Sequence, residues 1–236
     1  MKLKNRVAIV TGSGRGIGKA IALTYAKEGA DVVAVARTDT EIEEVAEEMR
    51  SMGRRALAIP TDVSQKKQVQ AMVQQTLDEF GTVNILVNNA GVAIHNYLMD
   101  IREEDWDLTM AVNLKGVFLC TQAVFPIMME KRSGHIINIS SGAGKRGNPR
   151  YGSYCASKFG VIGFTEAIAA EGRPHNIKVC VICPGPVTSK LRTENHPDDD
   201  PTKLMMPQDI ADMALFIATQ HPRAYIPEVQ VRTMWM

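Results

Sequence analysis

The sequence predicts an α/β fold: one doubly wound domain whose parallel sheet of seven strands lies between layers of helices. Short apolar runs alternate with longer helical patterns to the end of the chain, the β-α-β-α order of a parallel sheet. The strand runs, such as VAIV from Val7 and VVAVA from Val32, are apolar without alternation, as in strands covered on both faces. No linker or repeat divides the 236 residues, so a single domain over 1–236 is expected.

Val7–Thr11 opens the sheet, and the glycine-rich turn after it starts a helix near Gly16–Glu28. Val32–Ala36 and Ala56–Pro60 are the next strands, with helical patterns at Glu41–Met52 and Lys66–Phe80. Val83–Val87 is the fourth strand, and the stretch Glu103–Glu130 after it reads as one long helix. His135–Ser140, the helix Tyr151–Glu171, the strand Lys178–Cys183, the helix Pro207–Thr219 and the strand Val229–Val231 complete the order. Pro184–Met206 breaks the rhythm, being rich in Pro, Asp and Thr. It follows a strand end, where open α/β sheets place ligand loops. A substrate loop at 186–206 is expected, mobile without ligand, closing Leu191, Leu204 and Met205 onto the substrate; the competing reading is a short ordered helix plus turn that never moves.

Composition narrows the function. Lys plus Arg total 27 against 26 for Asp plus Glu, so net charge gives no reason to expect nucleic acid or an anionic membrane as a partner. No uninterrupted apolar run approaches the roughly 18–20 residues of a membrane helix. The four apolar residues Val7–Val10 are too few for a secretory signal. Cys120, Cys155, Cys180 and Cys183 form no disulfide framework, and the CxxC of Cys180 and Cys183 lies in a strand, where residues three apart face opposite ways. A reduced, cytoplasmic protein is expected. The histidines His95, His135, His175, His196 and His221 are scattered, and no metal site is expected.

The turn Thr11-Gly-Ser-Gly-Arg-Gly-Ile-Gly18 joins the first strand to the first helix, where backbone N–H groups can approach a pyrophosphate. Its spacing is T-G-x-x-x-G-x-G rather than G-x-G-x-x-G. The second strand ends Val35-Ala36-Arg37-Thr38, without the carboxylate that holds a ribose 2′-OH in NAD-preferring folds. Asp31 is at the wrong end and Glu41 is already in the next helix. Arg37, with Arg15 from the turn, can pair with a 2′-phosphate, so NADP is expected over NAD. Tyr154 and Lys158, four apart in a helical stretch, share one face. An ammonium beside a phenol lowers its pKa by favouring the phenolate. Ser141 stands at the end of the preceding strand, where a hydroxyl can hold a substrate oxygen.

In this order and spacing the features resemble the short-chain dehydrogenase/reductase family, and the resemblance covers nearly the whole chain. It includes Thr11–Gly18, Asp62-Val63, Asn88-Asn-Ala-Gly91, Asn113, Ser141, Tyr154 with Lys158, and Pro184-Gly185. It implies a Rossmann-type fold and a catalytic set of Asn113, Ser141, Tyr154 and Lys158. Tyr154 would be the general acid in reduction. Lys158 would lower its pKa and bind the nicotinamide ribose, Ser141 would polarise the carbonyl, and Asn113 would hold a water leading to Lys158. Gly12, Gly16, Ile17 and Gly18 would form the pyrophosphate turn, with Asp62 and Val63 at adenine and Asn89, Ala90 and Gly91 beside the adenosine ribose. The family's P-G-x-V-x-T turn reads Pro184-Gly-Pro-Val187-Thr-Ser189 here, so Ser189 takes the place of the carboxamide-binding Thr and Thr188 falls one place early.

Within the family the chain resembles 3-oxoacyl-[acyl-carrier-protein] reductases, which implies an NADP-dependent reduction of a 3-oxoacyl thioester or related carbonyl. Alternatives are a dehydrogenase or reductase of a small hydroxy acid, sugar or other alcohol, and a non-catalytic dinucleotide-binding regulator, against which the complete catalytic set argues. Of the two basic positions that dock the acidic carrier, one matches Arg132; the other falls on His175, with Arg173 nearby. Lys145, Arg146 and Arg150 cluster where substrate enters, as anion recognition or as a solvated loop. The family's V-D-G-G-type tail is replaced by Glu228–Met236, and a homodimer or homotetramer is expected.

Overall fold

The strands are β1 (Val7–Thr11), β2 (Asp31–Ala36), β3 (Ala56–Pro60), β4 (Ile85–Asn88), β5 (Gly134–Ile139), β6 (Ile177–Pro184) and β7 (Glu228–Val231). In the computed structural model, which describes residues 1–235, they form one parallel sheet in the order β3-β2-β1-β4-β5-β6-β7. The chain leaves β1 toward β2 on one side and reaches β4 on the other. This reversal opens a crevice at the carboxyl ends of β1 and β4.

Period-2 alternation splits the strand residues between two cores. Ala8 and Val10 of β1, with Val32 and Ala34 of β2, face α1 (Gly16–Lys27), α2 (Asp39–Ser51) and the last helix, Pro207–Ala218. Ile9, Val33 and Val35 face the opposite layer, α3 (Lys66–Phe80) and the helices after β4 and β5. Both faces are covered, which is why the runs show no polar alternation.

The expected single helix over Glu103–Glu130 is three pieces: α4 (Glu103–Met110), a π-helical turn Ala111–Lys115, and α5 (Gly116–Lys131). The continuous stretch Glu103–Lys131 is long and apolar enough to cross a membrane by length and composition, but half of its most apolar window is buried inside the protein. α6 spans Gly152–Gly172. Between β6 and α8 (Pro207–Ala218), where a loop or a short helix with a turn is expected, a short helix forms: α7, Lys190–Asn195. Ser189 caps it, its Oγ accepting from Arg192 N at 3.1 Å.

A buried polar network ties the middle of the sheet to α5 and α6. Asn88 Nδ2 donates to Asn138 Oδ1 at 2.8 Å and to Thr121 Oγ1 at 3.2 Å, and Asn138 Nδ2 donates to Thr165 Oγ1 at 2.9 Å. Asn88 and Asn138 are also register partners across β4 and β5.

Candidate active site

The crevice at the carboxyl ends of the strands is a cavity of about 1000 Å³. Thr11, the last residue of β1, clamps its floor: its Oγ1 accepts from Asn89 N (3.0 Å) and Ala90 N (3.1 Å) and donates to Val87 O (3.2 Å). Asn89 Nδ2 donates to the carbonyls of Thr11 and Gly12 at 3.0 and 3.1 Å. Gly12 sits at φ +64°, in the left-handed region, and a Cβ there would lie 2.8 Å from Ala90 Cα. The turn is therefore drawn against the β4 loop, with no side chain between its backbone and a ligand.

Gly12, Arg15, Gly16 and Ile17 line the cavity, as do Arg37, Asp62 and Val63 at one end and Asn89, Ala90 and Gly91 along its floor. Gly18 is not in the wall; it packs beneath the turn. Arg37 makes no ion pair or side-chain hydrogen bond among the described residues. Arg15 is engaged, its Nη1 donating to Glu41 Oε1 at 3.2 Å, so Glu41, set aside by its place in a helix, belongs to the cavity wall. The signal that could have found it is its position in the first turn of α2, directly after the second strand.

At the other end stand Ser141, Tyr154 and Lys158. Ser141 follows β5, and its Oγ accepts from Ala143 N at 3.1 Å. Lys158 is buried, and its Nζ donates to Ile139 O at 2.9 Å. The carbonyl of Lys158 accepts from Ser140 Oγ at 2.9 Å, so α6 is pinned twice to the end of β5. Burial lowers the Lys158 ammonium to about 8. Burial raises the Tyr154 phenol, and hydrogen bonding by the Ser141 hydroxyl pulls the other way. The expected lowering by Lys158 is not among the influences on Tyr154 in this state; the ammonium lies 5.7 Å from the ring centre and is bonded to Ile139.

Asn113 lies on the π-helical turn and is buried outside the cavity lining. Its Oδ1 accepts from Val92 N at 2.8 Å, and its Nδ2 donates to Val92 O (2.9 Å) and Ser157 Oγ (3.1 Å). A Cβ on Gly91 would lie 3.3 Å from Asn113 Oδ1 and 3.8 Å from Lys158 Nζ, so Gly91 lies beside both groups.

Pro184, Gly185, Val187 and Ser189 line the roof. Ser189 Oγ is committed to the α7 cap, whereas Thr188 Oγ1, also on the cavity, is buried without a hydrogen-bond partner. Leu191 lines the cavity. Leu204 does not, and Met205 is buried in the core, bridged to Val187, because the segment folds back on itself through Met205 N to Pro186 O (3.1 Å). Of the three basic residues before Tyr154 only Arg146 lines the cavity: Lys145 pairs with Glu228, and Arg150 lies 5.9 Å over the Tyr97 ring.

One group at the site was hidden in the sequence. His95 stacks on Tyr151 with ring centres 3.8 Å apart and meets Tyr154 edge-on at 5.6 Å. Both its ring nitrogens are buried without a partner. Burial, then the charges of His196, Arg150 and Arg192, lower its pKa to about 4. Tyr151 hydrogen-bonds His196, so the end of α7 rests on this ring stack. Nothing in the spacing of 95, 151 and 196 announces the cluster.

The site thus joins a glycine turn against a sheet crevice to a Ser-Tyr-Lys group in which Lys158 is buried and Ser141 and Tyr154 are half-buried in the cavity wall, a geometry suited to holding a dinucleotide with a proton donor at its far end. Comparison with known proteins agrees. A family model described as short chain dehydrogenase matches residues 6–200. The chain is 38% identical over 231 residues, 95% of its length and 93% of the relative's, to a 3-oxoacyl-[acyl-carrier-protein] reductase of Synechocystis sp.. It is 41% identical over 228 residues (92% of this chain, 91% of the relative) to a (2S)-[(R)-hydroxy(phenyl)methyl]succinyl-CoA dehydrogenase subunit of Thauera aromatica. Among solved structures, a metagenomic short-chain oxidoreductase in complex with NADP superposes with TM-score 0.88 at 36% identity over 99% of both chains. These matches and the site geometry together establish that the chain belongs to the short-chain dehydrogenase family.

Proposed function

We propose that the protein is an NADP-dependent oxidoreductase that reduces a ketone to an alcohol, with a 3-oxoacyl thioester as its substrate. The observation that carries this reading is the Ser141–Tyr154–Lys158 group lining the far end of a cavity that begins at the glycine turn. The cavity fits the cofactor: Gly12 and Gly16 leave the turn open, Arg37 waits at the end of β2, and Thr188 Oγ1 lacks a partner in the roof. The names of the relatives support the thioester.

When bound, NADPH would supply the hydride and leave as NADP⁺. Tyr154 donates its phenolic proton to the carbonyl oxygen as that oxygen becomes an alcohol. The raised Tyr154 pKa keeps the proton in place at neutral pH. Ser141 holds the same oxygen. Lys158, cationic below about pH 8, would favour the phenolate left behind once its Nζ turns from Ile139 O toward it, and Asn113 orders the backbone beside it. A single domain, a substrate loop at 186–206, a cytoplasmic location and a homo-oligomer go with this reading. Phe118 on α5 and Phe159 on α6 offer exposed apolar surface for a second copy.

The test follows NADPH absorbance with 3-oxoacyl thioesters and plain ketones of equal chain length. Turnover should favour the thioesters. Tyr154→Phe should lose about 10²–10⁴-fold in turnover with NADPH binding near normal. Substantial activity in Tyr154→Phe would remove the assigned acid.

A further inference from the structure

The cofactor end of the cavity carries two cations and two carboxylates, Arg15, Arg37, Glu41 and Asp62. Asp62 is occupied locally, its Oδ1 accepting from Ser64 N (2.9 Å) and Ser64 Oγ (2.7 Å). Glu41 is not turned away from the cavity. Its carboxylate lies across the glycine turn: a Cβ on Gly14 would be 2.8 Å from Glu41 Oε2 and 2.9 Å from Glu41 Cβ. Gly14 is what lets Glu41 lie there, and from that position it holds Arg15 at 3.2 Å. The pair is open to solvent, with side-chain exposures of 60% and 36%, so it is weak and exchangeable. Arg37 has no such partner among the described residues.

We propose that Glu41 is a cofactor-selectivity residue that moderates the preference for NADP over NAD. It occupies Arg15 when no phosphate is present. It opposes the charge of a 2′-phosphate when one binds, and as an acceptor it suits a ribose 2′-OH. Discrimination then rests mainly on Arg37, and both dinucleotides are usable. This deepens the cofactor reading above and depends on it.

Equilibrium titration of NADPH and NADH fluorescence tests it without turnover. Glu41→Gln should tighten NADPH by about tenfold, equivalent to ~1.4 kcal/mol, and leave NADH within about twofold. Arg15→Gln should cost NADPH affinity more in the Glu41→Gln background than in the native protein, because Glu41 no longer competes for the guanidinium. An NADPH-to-NADH affinity ratio unchanged by Glu41→Gln, or equal Arg15→Gln losses in both backgrounds, overturns the proposal while leaving the cofactor reading intact. Failure of the native protein to bind either nucleotide would remove both. Thermal melts of each variant confirm that the fold is retained.

Discussion

Gly18 offers a test in which two physical effects oppose each other. It lies in the first turn of α1, where helix propensity alone makes Gly→Ala stabilising by ~1 kcal/mol. A Cβ at Gly18, however, would lie 2.1 Å from the Gly12 carbonyl oxygen, 2.7 Å from its carbon and 2.5 Å from Asn89 Nδ2. Relaxed carbon contacts sit near roughly 3.5–4.0 Å, so turn and helix must part by about 1 Å or more. Forcing a methyl group into packed structure costs about 1–3 kcal/mol. Displacing Asn89 endangers its bonds to the Thr11 and Gly12 carbonyls, at about 0.5–1.5 kcal/mol each. The sum, less the propensity gain, is a loss of about 1–5 kcal/mol. Urea denaturation followed by circular dichroism reads it directly, and NADPH titration should show weakened binding, since the same turn lines the cavity. Gly18→Ala as stable as the native protein would refute the reasoning. Asn89→Ala in the same background removes only the side-chain contact and should not restore stability; recovery would assign the constraint to Asn89 rather than to the Gly12 carbonyl.

Two further outcomes follow from the site. Lys158 has a folded pKa of about 8, below its ordinary value of roughly 10.5, so the native state holds fewer protons than the unfolded state between those pH values. The neutral amine's contribution is present above pH ~10.5 and is lost as pH falls through about 8. Lys158→Met should therefore lose turnover yet keep or gain stability at pH 7, with the gain shrinking toward pH 10; denaturation at both pH values checks this, and a loss above ~1 kcal/mol at pH 7 would contradict it. Across 186–206, hydrogen exchange should slow when NADPH and product are bound, because α7 is held to the rest of the cavity by few side-chain contacts, among them Tyr151 with His196 and the Asn195 Nδ2 bond to Ala93 O at 3.3 Å; unchanged protection at saturation would mean the segment is no lid.

Much of this architecture could be read from the residues. The strands were legible because burial on both faces leaves an unbroken apolar run, and the helices because their apolar positions recur once per turn. The break at Ala111–Lys115 was not. A π-helical turn shifts the backbone hydrogen-bond partner by one residue, and composition carries no trace of that. Over α7 the choice between a loop and a short helix stayed open, because six residues are too few to show a measurable period. At the site, the glycine turn and the Tyr154–Lys158 pair were visible as spacings within one segment. The Arg15–Glu41 pair, the Lys145–Glu228 pair and the stacking of His95 on Tyr151 join residues 26, 83 and 56 apart, and only the folded chain brings them together.

The polar network through Asn88, Thr121, Asn138 and Thr165 has a consequence during assembly of the sheet. β4 and β5 are mostly apolar, and their residues Ile85, Leu86, Val87, Ile136, Ile137 and Ile139 would bury well in more than one alignment. Apolar contact alone discriminates poorly between neighbouring registers. A slip of one position would set Asn88 opposite an isoleucine and turn side chains to the wrong face. Each amide left buried without its partner would cost about 1–3 kcal/mol. The two asparagines thus act as a proofreading mark for strand pairing. Strands joined across a long helical connection pair late and slowly, and this is the stage at which a misaligned sheet would otherwise trap the chain.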